Sequence, residues 1–126
     1  MGAILAVLTV GCSQVTARGD AAAEVAVRML SAVVAKDGVA ACSLLAPDTA
    51  AGLEHSVDMP CAEAILGENL PGPGQVSASE VYGQQAQVRL DGDTVFLSVF
   101  PGGWRVVAAG CTARDDKPYD CVLRGG

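Results

Sequence analysis

A chain of 126 residues with 51% hydrophobic and 17% charged side chains can bury one core and is too apolar to stay disordered, yet it leaves no room for a second domain. Its net charge of -6, with no Lys/Arg cluster, excludes a surface built for the phosphate backbone of nucleic acid.

The first feature along the chain is an apolar run over residues 3–10 that ends in Gly11-Cys12. A spanning helix needs about 20 apolar residues, so the run is too short to cross a bilayer; it fits the hydrophobic core of an export signal instead. Leu8-Thr9-Val10-Gly11-Cys12 resembles the lipobox of bacterial lipoproteins, with Thr9 where an aliphatic residue is usual. That resemblance implies a signal peptide over residues 1–11 and a diacylated Cys12 as the mature N-terminus. The chain would then be a cell-envelope protein on the extracytoplasmic face of the cell membrane, held by its lipid. No Lys or Arg precedes the apolar run, so a basic segment is expected upstream of Met1.

Cysteine arithmetic agrees. Five is an odd number for an exported chain, and lipidation of Cys12 leaves Cys42, Cys61, Cys111 and Cys121. Four cysteines allow three pairings that sequence leaves open, and proximity favours Cys42 with Cys61 and Cys111 with Cys121. Each bridge would close a short loop and contribute about 3 kcal/mol in the chain-entropy model. A zinc site is the weaker reading, because there is no C-x-x-C knuckle and His55, the only histidine, stands in no pairing motif. Neither metal nor cofactor is expected.

Residues 13–19 are small and polar and read as a tether following Cys12, with Asp20 as a helix cap opening a single domain over 20–126. A helix is expected over 21–36, where Ala22, Ala26, Met29, Leu30 and Val33 recur on one face and Glu24 and Arg28 stand on the other. Asp37-Gly38 should end it. Residues 39–46 read as a short second helix stopped by Pro47, and 47–54 as a further turn or two. Asp58-Met59-Pro60 should cap and open a third clear helix that runs to about residue 69, where Pro71-Gly72-Pro73-Gly74 breaks it. A Cys42–Cys61 bridge would staple the second helix to the third.

Beyond that break the periodicity changes from helical to alternating. Strands are expected over 75–81, 84–90, 94–100 and 104–109, joined by turns near Tyr82-Gly83, Asp91-Gly92-Asp93 and Pro101-Gly102-Gly103. Cys111 and Cys121 should enclose a polar loop, with Val122 and Leu123 behind it. The positions expected to face inward are Ala86, Val88, Leu90, Phe96 and Val106. Helices first and an antiparallel meander second make an α+β fold, with N-terminal helices packed on a curled sheet of about four strands.

The long first helix, Gln84-Gln85-Ala86-Gln87-Val88-Arg89-Leu90, Thr94-Val95-Phe96-Leu97 and Gly102-Gly103-Trp104-Arg105-Val106 resemble the cone-shaped, nuclear-transport-factor-two-like superfamily. The resemblance covers about residues 20–111. Gly110-Cys111 and Pro118-Tyr119-Asp120-Cys121 extend it to small exported actinobacterial lipoproteins. Members of the superfamily include enzymes, ligand binders and assembly domains, so the fold does not choose among these.

A cone performing proton chemistry would need an inward carboxylate as base and an inward Tyr or acid beside it. The candidates are Tyr82, His55, Asp58 and Glu80. His55 reads as a solvated connection, Asp58 as a cap and Tyr82 as a ring that closes a core. Tyr82, Phe96, Phe100 and Trp104 are candidate pocket-lining residues, although core packing is the commoner role for aromatics. No nucleophile elbow, phosphate loop or metal motif is present, so no catalytic residue is assigned. The leading expectation is a non-catalytic envelope lipoprotein that binds another envelope protein or an apolar ligand through the concave sheet. The alternatives are an isomerase-like or hydrolase-like enzyme using Tyr82 with an acid, and a structural module without a pocket.

Overall fold

The computed structural model describes residue 2 and residues 10–125, with side chains from residue 16 onward. The core of the expected signal peptide (residues 3–9) and the Cys12 side chain lie outside the described residues. Among the described residues four helices come first, α1 (Val10–Val34), α2 (Gly38–Ser43), α3 (Pro47–Val57) and α4 (Cys61–Ala64), the last running into a 3-10 turn at Ile65–Gly67. Five strands follow, β1 (Val76–Tyr82), β2 (Gln85–Leu90), β3 (Asp93–Phe100), β4 (Gly103–Arg114) and β5 (Lys117–Leu123). They form one antiparallel meander in the order β1-β2-β3-β4-β5. The expected α+β order therefore holds, with five strands rather than four.

Helix α1 packs across β1, β2, β3 and β4. Ala22, Ala26, Met29 and Leu30, four of the five residues expected on its apolar face, are fully buried; Val33 packs at the margin of the core. The helix starts at Val10 rather than residue 21, so the polar stretch read as a tether is helical. No proline interrupts that stretch, and Asp20 stands on the exposed side of a continuous helix instead of capping it. Lys36 takes the left-handed conformation (φ 62°) after α1 ends, and Asp37 caps the next helix, accepting the Ala40 N–H at 3.1 Å.

Asp58 does cap a helix, but the preceding one. It adopts φ 54°, ψ 49° at the C-terminus of α3, which runs on to Val57 and is longer than expected. The third clear helix shrinks to the single turn of α4 and its 3-10 extension, with Pro60 at its N-cap. Gly38 explains how closely this turn sits to α2: a Cβ there would lie 1.8 Å from the Ala62 carbonyl oxygen. That approach lets the Cys42–Cys61 bridge form at a Cα separation of 6.1 Å.

The second bridge joins Cys111 to Cys121 across β4 and β5, at a Cα separation of 3.9 Å. The segment between them, read as a polar loop, is a hairpin in which Cys111 pairs directly with Cys121 and Thr112 with Asp120. Gly110 bends β4 into it with φ 65°, and a Cβ there would lie 2.8 Å from the Val122 Cβ.

Candidate functional site

Directly opposed residues of an antiparallel pair share a face. Ala86, Val88 and Leu90 are buried against α1 as expected, so their partners Leu97, Val95 and Asp93 also face inward. Phe96 must then point outward, which overturns its expected inward orientation. On the outer face its ring meets Tyr119 edge-on, centroids 5.1 Å apart, and the Gln87 amide donates to the Tyr119 hydroxyl at 3.3 Å.

A β-bulge sets the inward register of β4. Phe96 pairs with Ala108 but Leu97 pairs with Val106, leaving Val107 as the extra residue. The Val107 carbonyl accepts the hydroxyl of buried Thr49 at 2.8 Å, while Val106 exchanges backbone hydrogen bonds with Leu44 and Ala46. The helix-facing side is consequently filled. Met29, Leu30, Ile65, Val88, Val95, Leu97 and Val106 are the largest fully buried hydrophobic side chains there.

The four aromatics expected to line a pocket do not converge. Trp104 is buried on the helix side, with the Arg18 guanidinium carbon 5.5 Å from its ring centroid. Phe96 lies on the opposite face, Phe100 is half-buried beside the β3–β4 turn, and Tyr82 is 62% exposed at the end of β1. Tyr82 does meet a carboxylate: its hydroxyl donates to Glu80, two residues back on the same edge strand. The Glu80 hydrogen bond and charge push the phenol above its ordinary pKa, and the pair stands in solvent rather than in a cavity. His55 is exposed in the last turn of α3, and Asp58 is exposed just after it.

Open grooves flank α1. One of about 500 Å³ runs between α1 and β1, lined by Asp20, Ala23, Glu24, Val27, Val76 and Ser79. Another of about 330 Å³ lies on the Trp104 side, between α1 and the β3–β4 turn. Glu24 and Arg28 line both, yet they do not pair with each other; the ion pair among the described residues is Arg124 with Asp120, at 3.1 Å. Compared with family models, curated proteins and solved structures, the chain matches none. Among the described residues no group of three or more His, Cys, Asp or Glu is arranged to hold a metal, and no helix is long and apolar enough to cross a membrane.

The most distinctive electrostatic feature is Asp93, 7% exposed and read from sequence only as part of a turn. One carboxylate oxygen accepts the N–H of Thr94 at 2.7 Å and of Cys111 at 2.9 Å, and the other accepts the N–H of Gly110 at 3.1 Å. Burial raises its pKa; the hydrogen bonds from Gly110, Cys111 and Thr94 oppose that without cancelling it. All three hydrogen bonds come from backbone N–H groups, one on β3 and two on β4, so this carboxylate holds the two strands together. A correct inward phase for Val95 and Leu97 would have placed Asp93 on the same face and exposed the signal.

Proposed function

We propose that the chain is a lipid-anchored protein of the cell envelope, on the extracytoplasmic side, whose cone-like body serves as a non-catalytic accessory or binding domain. One observation carries this reading. Cys42–Cys61 and Cys111–Cys121 account for every cysteine except Cys12, which follows the apolar run of residues 3–10. Disulfides persist in oxidising compartments, and a fifth cysteine left over from both bridges, directly behind an apolar run of export-signal length, supports lipidation at Cys12. The curled antiparallel sheet wrapped on α1 supports the cone description.

Another envelope protein is the better-supported partner than an enclosed apolar ligand. The helix-facing side is occupied by the chain's own core, and the remaining grooves are open. Radiolabelled fatty acid should enter the wild type and not Cys12→Ala; label retained in the variant would refute the anchor. The enzyme reading has one observation behind it, the Tyr82–Glu80 hydrogen bond. A turnover abolished by Tyr82→Phe at unchanged stability would move that reading ahead.

A further inference from the structure

The lipid reading says how the chain is attached, and says nothing of how the body stands on the bilayer. Helix α1 continues without a break from Val10 through Arg18. At about 1.5 Å per residue, only about 9 Å of helix separates Cys12 from Arg18. No flexible spacer lies in that interval, so the part of the body around Arg18 is held close to the point of attachment.

Arg18 is clamped to one end of the sheet. Its guanidinium donates to the Gly83 carbonyl in the β1–β2 turn at 2.5 Å and lies over the Trp104 ring at the start of β4. The Val99 N–H bonds the Gln84 carbonyl at 2.9 Å, which brings the end of β3 to the same turn. This end therefore gathers Tyr82 and Val99, 62% and 39% exposed, with half-buried Phe100 and exposed Pro101. Aromatic and aliphatic side chains at a polar, solvated rim suit the bilayer interface, where rings are favoured at headgroup depth.

We infer that the β1–β2 and β3–β4 turns form a membrane-facing surface, docked on the headgroup region of the bilayer that receives the N-terminus of α1. The inference rests on the anchored reading and adds an orientation to it. The occupant is the bilayer rather than a protein because the proposed lipid-bearing position, Cys12, stands in the same unbroken helix that is clamped to this end at Arg18. A net charge of -6 gives no general attraction to anionic lipid, so the contact is apolar and should be insensitive to salt.

The test is hydrogen exchange of the lipidated full chain on phosphatidylcholine vesicles, compared with soluble Cys12→Ala, with co-flotation recorded for both. Exchange over residues 82–84 and 99–103 should slow at least several-fold on vesicles, equally at low and high salt, while residues 36–40 beyond the far end of α1 stay unchanged. Co-flotation without protection of the turns, or with protection confined to other segments, would overturn the docking surface and leave the anchor standing. Failure of the wild type to float with vesicles would overturn both. Equal protection of the same turns in Cys12→Ala on vesicles would overturn the claim that the anchor at Cys12 brings this surface to the bilayer.

Discussion

The Asp93 carboxylate accepts the backbone N–H of Cys111 at 2.9 Å, tying the first residue of β3 to the residue of β4 that carries the bridge to Cys121. The same side chain takes the N–H of Gly110, so one carboxylate secures the bend through which β4 enters its hairpin with β5.

Asp93→Asn keeps the shape and replaces one acceptor oxygen with a donor that faces a backbone N–H. It should cost about 1–3 kcal/mol in urea unfolding, the penalty of an unsatisfied buried donor. The pH dependence follows from the raised folded pKa. The folded state holds this proton more tightly than the unfolded chain, so the group's contribution is fully present below the ordinary Asp value of 3.8 and is lost as pH rises through the raised value. The stability gap between wild type and Asp93→Asn should widen on acidification through that window. A gap that narrows would contradict the assignment.

Replacing both Cys42 and Cys61 with serine opens a loop spanning 19 residues of sequence separation between α2 and α4. The expected loss is about 3 kcal/mol in the chain-entropy model, read as a lower unfolding midpoint under non-reducing conditions. A midpoint equal to that of the wild type would show that the approach of α2 to α4 holds without the bridge.

Gly38→Ala places a methyl 1.8 Å from the Ala62 carbonyl oxygen, a backbone atom that no side-chain rotation can clear. The variant should lose about 1–3 kcal/mol as the two helices are forced apart. Gly67→Ala, where nothing lies within 4 Å of the added carbon, serves as the control and should be neutral or slightly stabilising. Equal effects at the two positions in thermal unfolding would contradict the close approach.

Thr49 bonds the extra residue of the β4 bulge through its hydroxyl. Thr49→Val preserves volume and leaves the Val107 carbonyl without that partner, so stability should fall by about 1 kcal/mol. An unchanged unfolding free energy would mean that the bulge is fixed by the Leu44–Val106–Ala46 backbone bonds alone.

Periodicity made much of this fold legible. The apolar stripe Ala22, Ala26, Met29, Leu30 and the alternation Ala86, Val88, Leu90 each follow from side-chain geometry within one element, and proximity along the chain anticipated both bridges. What depended on partners was harder to read. The inward phase of β3 is set by its pairing with β2, so choosing Phe96 over Val95 inverted the strand and hid Asp93 among turn residues. The β4–β5 hairpin was obscured by the polar sequence Thr112 to Asp120, whose strand character comes from the cross-strand bridge and the glycine bend rather than from propensity. The start of α1 was misplaced because small polar residues suit a tether and the exposed side of a helix equally well. At the candidate site, sequence identified Tyr82 and Glu80 as proton-active groups, but only the outward register of the β1 edge shows that they meet in solvent.

The central claim, lipid attachment at Cys12 of a disulfide-closed envelope domain, is tested most directly by the intact mass of the protein extracted from membranes under non-reducing conditions with thiol alkylation. The account predicts a chain beginning at Cys12, heavier by a diacylglycerol group, with no alkylated thiol on Cys42, Cys61, Cys111 or Cys121. A chain that retains residues 1–11 with an alkylated, unlipidated Cys12 would contradict it.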